Sequence, residues 1–302
     1  MKVSFAISMT CCSFLTVAQV PGSDLYVGDL QVVEGQLQIS QLQALTQRPQ
    51  YDNQPSFLLD GHQLLISGAQ GEGVHEQTDS VLYDLKSGHS INITKTQVSE
   101  YSPTQMPNKI DFSVIHADGD LQKLWRYPLP ANAGQQKKRP PSELLADINP
   151  VGYHAWIDAQ RVLLFVLGEP HSLQLANIKT QHSEILDSNI GPSLFAIPHS
   201  NLMSYTATTD EGDDPSWALK SYDPQSGEIA ILTHLPKGAY YYGWSGDAKA
   251  IAAQGSVLKQ WDSQLSDPKW TVFGDVSDIC PLGVTRLTTN KQNSKIALVC
   301  TR

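Results

Sequence analysis

Three short stretches place hydrogen-bonding side chains at the same point ahead of strand-like runs: YDNQPSF (51–57), EYSPTQM (100–106) and GYHAW (152–156). Among their residues are the carboxylates Asp52 and Glu100, the adjacent amides Asn53 and Gln54, the tyrosines Tyr101 and Tyr153 and a histidine, His154. If these meet in space, the set could bind a polar ligand. It could also set His154 beside a carboxylate as a base, a ligand or a switch, because the ordinary imidazole titrates near pH 6.5. Asp52, Glu100 and His154 together could hold a cation. Calcium suits two carboxylates drawn from separate elements and suits the histidine less. The local spacing supports no metal motif: there is no EF-hand loop and no HExxH, so metal ligands stay unassigned. A GxSxG elbow, a Walker loop and a dinucleotide GxGxxG are likewise missing, and no catalytic residue is assigned. GWSGD (243–247) faintly resembles an elbow, but a strand-to-strand turn explains it better. Glu169 and His171, in LGEPHS, are weaker candidates in a loop.

What positions these residues is a series of short β-rich runs. QLLIS (63–67), SVLYDL (80–85), DFSVIH (111–116), RVLLFVL (161–167), NLMSYTA (201–207) and KIALVC (295–300) carry apolar, β-branched or aromatic side chains. Turn pairs divide them: Asp60-Gly61, Ser87-Gly88, Asp118-Gly119, Ser226-Gly227 and Ser245-Gly246. Six unit starts, near residues 51, 101, 153, 193, 242 and 285, recur at roughly 40 to 50 residues, the interval of a propeller blade. LYDLKSG and SYDPQSG are two copies of one hairpin within the units. The sixth unit stops after two strands. DLYVGDL (24–30) and QLQISQLQALT (36–46) supply two more at the other end of the chain. The pattern predicts an all-β, six-bladed β-propeller forming one domain over residues 19–302. Its last blade takes inner strands from the C-terminus and outer strands from the N-terminus, which removes the open edges. The segments 131–141 and 208–216 read as the most flexible insertions.

Residues 1–18 read as a signal peptide: Lys2, a mostly apolar run from Val3 to Val17, and small residues Thr16 and Ala18 before the cut. That run is short for a membrane span, and no other segment is long and apolar enough for one. The expectation is an exported protein, periplasmic or secreted, and a monomer. Cys280 and Cys300 would remain, and they permit one disulfide or two buried thiols. With a net charge of -9 a nucleic-acid partner is not expected, because phosphate binding needs a basic face.

YDNQPSF, EYSP, PVGYHAW, LFVLGEP, SLQLANIKT and TRL resemble exported bacterial propellers of the TolB-like six-bladed group, and the likeness covers nearly the whole mature chain. The resemblance implies a fold and an exported location, not a reaction. Read on such a ring, residues at one offset in each unit converge at the rim where the inner strands begin. They are Asp52, Asn53, Gln54, Glu100, Tyr101, Tyr153, His154 and Arg286, with Ser102, Ser193, Tyr241, Tyr242 and Thr285 beside them. The same residues could instead hold blades together, and Pro55 and Pro103 at matching places fit that role. The function expected is a binding or protein-interaction module taking a periplasmic protein, a peptide or a small ligand, without an obligatory cofactor. The alternative is a calcium-type hydrolase or lyase at the channel mouth. A sugar-binding module would rest on tyrosines and tryptophans alone.

Overall fold

The computed structural model describes residues 22–72, 76–130, 140–208 and 216–302. The expected signal peptide, with Cys11 and Cys12, lies outside the described residues, as do most of segments 131–141 and 208–216. Strands β1 (Ser23–Val33) and β2 (Gln36–Ala44) come first. The first blade follows: β3 (Asp52–Phe57), β4 (Gln63–Gln70), β5 (Gln77–Asp84) and β6 (His89–Asn92). The second holds β7 (Ser99–Gln105), β8 (Asp111–Asp118), β9 (Leu121–Pro128) and β10 (Ser142–Glu143). The third holds β11 (Val151–Trp156), β12 (Arg161–Val166), β13 (Ser172–Asn177) and β14 (His182–Ser188). The fourth holds β15 (Ile190–Ala196), β16 (Met203–Ala207), β17 (Ala218–Tyr222) and β18 (Ile229–His234). The fifth holds β19 (Tyr242–Trp244), β20 (Ala250–Gln254), β21 (Val257–Trp261) and β22 (Thr271–Asp275). β23 (Val284–Thr289) and β24 (Lys295–Thr301) end the chain.

Each blade is a four-stranded antiparallel sheet, and the sixth runs β2-β1-β24-β23, the closure expected from the sequence. β1 pairs with β24 from Ser23↔Thr301 to Asp29↔Lys295. Ion pairs flank the seam, Arg302 to Asp24 at 2.6 Å and Lys295 to Asp29 at 2.5 Å. First strands of neighbouring blades touch around most of the ring, β3 with β7, β11 with β15, β15 with β19, β19 with β23 and β23 with β3, and so enclose a central channel.

The core is a set of six layers, one between each pair of neighbouring blades. This explains why the second strands read as apolar runs. β4, β12 and β24 are buried on both faces, because each lies against a blade on either side. The fourth strands β14, β18 and β22 are largely exposed.

Cys280, ahead of β23, and Cys300, in β24, form a disulfide with Cα atoms 5.1 Å apart, inside the layer between the fifth and sixth blades. The sequence had left bridge and free thiols open. The bond closes a loop with a sequence separation of 20, for which chain entropy gives about 3 kcal/mol of stabilisation. The double Cys280→Ala, Cys300→Ala variant should therefore unfold at lower denaturant by about that amount. In the parent, both thiols should resist alkylation until a reductant is added. Ready labelling without reductant would contradict the bridge.

Candidate functional site

Five of the six first strands carry a register shift near their start, between Asn53/Ser56, Tyr101/Thr104, Val151/Tyr153, Ile190/Leu194 and Val284/Arg286. A bulge turns the side chains beside it away from the plain alternation of a strand. In the first two blades the bulge holds a left-handed residue directly before a proline: Gln54 (φ 55°) before Pro55 and Ser102 (φ 54°) before Pro103. The two bulges interlock, since Gln54 Oε1 accepts from the Ser102 amide at 2.7 Å and from Ser67 Oγ at 2.8 Å.

The expected residues do gather at the starting end of the inner strands, but they divide into three groups. Asp52 and Asn53 face the closing seam. The fully buried Asp52 carboxylate takes Arg48 Nε at 2.7 Å and Nη2 at 2.5 Å, and Asn53 donates to Ser23 Oγ at 3.3 Å. Glu100 is fully buried between the first two blades, where Thr96 donates to it at 2.5 Å and Tyr127 at 3.4 Å. Burial first, and then the neighbouring Asp79, push its carboxyl up to about 7 against the pull of Thr96 and Thr94.

His154 belongs to an interface. Its Nε2 lies 2.6 Å from Ser113 Oγ on the second blade, and Trp156 Nε1 donates to the same oxygen at 2.8 Å. The arrangement recurs two blades on, where the Tyr242 hydroxyl and Trp244 Nε1 both donate to Ser204 Oγ, at 2.9 and 2.8 Å. Burial pushes the imidazole down to about 3, so it is neutral at physiological pH. Asp52, Glu100 and His154 thus answer to three different sets of partners. Among the described residues no three His, Cys, Asp or Glu side chains converge.

The third group crosses the channel. Arg286, on β23, donates from Nη2 to the Tyr153 hydroxyl at 2.7 Å, although the third and sixth blades stand opposite one another. Its guanidinium lies 3.9 Å from the centre of the Tyr241 ring and 5.1 Å from that of Tyr153. Tyr51 and Tyr101 meet edge to face at 6.3 Å on the same side of the ring. Tyr241 belongs to the set expected to converge at the rim, whereas Tyr51 was not among the site residues expected. The position of Tyr51 immediately before the first inner strand was the available signal.

From Arg286 a cavity of about 640 Å³ runs along the channel towards the other rim, where the first strands end. Gln54, Tyr153, His154 and Arg286 line it, while Asp52, Asn53, Glu100 and Tyr101 do not. Its walls are mainly apolar, with Phe57, Leu194, Phe195 and Trp244 among them. Lys109 and Lys291, both exposed, stand with Leu59 and Pro107 at the mouth. Among the described residues no carboxylate lines it. The opening therefore lies at the hairpin end of the inner strands, opposite the rim that the sequence pattern singles out.

The fold and its channel define a six-bladed β-propeller. Among solved structures it is similar to a putative TolB from Agrobacterium tumefaciens, with a TM-score of 0.65 and 11% identity over 94% of this chain and 99% of that one. TolB from Acinetobacter baumannii gives a TM-score of 0.57 and 11% identity over 92% of this chain. The chain spans 63% of that protein's length. Oligogalacturonate lyase from Vibrio parahaemolyticus gives 0.51 and 9% identity over 92% of this chain and 98% of that one. At these identities the likeness is one of fold. No protein-family model matches the chain, and no curated protein matches it in sequence. No helix among the described residues is long and apolar enough to cross a membrane.

The two shifted groups have opposite consequences for pH. Glu100 moves from an ordinary 4.5 to about 7, so the folded state holds a proton that the unfolded chain releases between those values. Stability falls as pH rises through that window. Glu100→Gln should remove the penalty and gain about 2–3 kcal/mol over the parent near pH 8, with little difference near pH 4. Equal pH profiles in denaturant melts would contradict the shift. His154 moves from 6.5 to about 3, so its contribution is full above 6.5 and is lost as pH falls towards 3. His154→Tyr, which copies Tyr242, should lose less stability than the parent over that acidic range; an equal loss would contradict the buried neutral imidazole.

Proposed function

We propose that this protein is an exported binding propeller that receives its ligand, a segment of a partner protein or a small molecule, in the central-channel cavity. One observation carries the reading. The ring encloses about 640 Å³ of mainly apolar space with a few convergent polar groups at its closed end, within the size range of ligand pockets. The Cys280–Cys300 bridge supports export, since such bonds persist in oxidising compartments, and the composition of residues 1–18 agrees with it.

A binding role fits the site better than the hydrolase or lyase alternative. General acid–base chemistry needs a titratable group within hydrogen-bond reach of the substrate. The carboxyls of Asp52 and Glu100 lie outside the cavity, and His154 is held neutral against Ser113.

The reading is tested by placing a photo-crosslinking residue at Thr104, inside the cavity, and at Ile185, exposed on β14. In periplasmic extract the Thr104 position should form an adduct that Ile185 does not. A second change, Thr288→Trp, fills the channel from its wall and should abolish the adduct. Adducts indifferent to Thr288→Trp, or formed equally from Ile185, would contradict a channel site.

A further inference from the structure

The closed end of the cavity holds a positive charge that the fold does not neutralise. Arg286 gives one hydrogen bond to Tyr153 and rests its guanidinium on Tyr241. Among the described residues no carboxylate is paired with it. Burial raises the Tyr51 and Tyr241 hydroxyls above their ordinary range in spite of the arginine, so neither supplies a negative charge. A guanidinium has five N–H donors and keeps its charge in proteins, and a buried charge without a counter-ion is costly. Lys109 and Lys291 add two more cations at the mouth. Among the described residues the cavity therefore presents three positive groups and no negative one, in a chain whose net charge is -9.

We propose that the cavity takes an amphipathic carboxylate, its apolar body along the channel walls and its carboxylate against the Arg286 guanidinium and the Tyr153 hydroxyl. One fixed cation at the closed end matches one negative charge, whereas a dianion would bury a second charge without a partner. The planar fork of arginine suits a carboxylate, and the Tyr153 hydroxyl, which accepts from Arg286, still has its own proton to donate. A free organic acid and the C-terminal end of another protein chain offer the same chemistry. The inference rests on the channel reading above and adds the charge of the ligand to it.

Calorimetric titration of the mature protein tests it with 4-phenylbutyrate and its amide, and with an acetylated Ala-Leu-Leu-Phe peptide as free acid and as C-terminal amide. The acids should bind at least tenfold more tightly than the amides, about 1.4 kcal/mol. Arg286→Gln should erase that difference. Tyr153→Phe, which leaves the guanidinium in place, should weaken the acids several-fold and leave the amides unchanged. The uncompensated charge also implies that Arg286→Gln melts no lower than the parent without ligand, and that the acids raise the melt of the parent only. Stronger binding by the peptide acid identifies a protein terminus as the source, and stronger binding by phenylbutyrate a free acid. Acid and amide binding alike, or an Arg286→Gln variant that melts lower and still prefers acids, would overturn the inference while leaving the channel reading intact. Binding of none of the four would overturn both.

Discussion

Every feature of the channel depends on the pairing of β1 with β24. The ring has no single core; it has six interfaces, each buried only while its two blades stand side by side. Without that pairing the last blade would keep two strands, with an unpaired edge on β24. The layers on either side of it would open together. The seam is reinforced where strain would concentrate. Ion pairs flank its two ends, and Ser23 donates to the Asp52 carbonyl at 2.8 Å, tying the seam to the first blade. Asp52 and Asn53, which on residue type alone look like ligands, are structural members of this closure.

Closure makes the channel, and irregularities in the inner strands decide what the channel holds. Bulges near the starts of those strands bring tyrosines and Arg286 together across the axis, so that end is filled and the other stays open. The polar groups behave differently according to where they fall. Between blades, serines 113 and 204 each collect two ring groups, and these bonds are satisfied within the protein. On the axis, Arg286 is held by aromatic faces and one hydroxyl, with its charge left over. The same residue types thus serve cohesion in one place and recognition in the other.

The architecture was legible because its signal is repetitive. Short apolar runs, glycine turns and a recurring interval gave the blades, and two unmatched strands at each end gave the closure. Convergence of residues at a common offset was legible for the same reason, and the Tyr153–Arg286 contact follows from it. What the sequence did not carry was the depth of each side chain. Glu100 turns towards Asp79 and away from the cavity, a direction that no local pattern announces. Lys109 and Lys291 sit in ordinary turn sequences, and only the ring brings them to one mouth. The disulfide was undecidable for a similar reason: spacing along the chain does not say that Cys280 and Cys300 come within 5.1 Å at their Cα atoms.

The most direct measurement of the central claim is a nitrogen–proton NMR spectrum of the arginine side chains, with Arg286 assigned by its loss in Arg286→Lys. Held between Tyr241 and Tyr153, the guanidinium should give resolved, slowly rotating Nη signals that shift when a carboxylate ligand enters the channel and stay put with the matching amide. A single averaged Nη signal, unmoved by acid and amide alike, would contradict a charged receptor at the closed end of the channel.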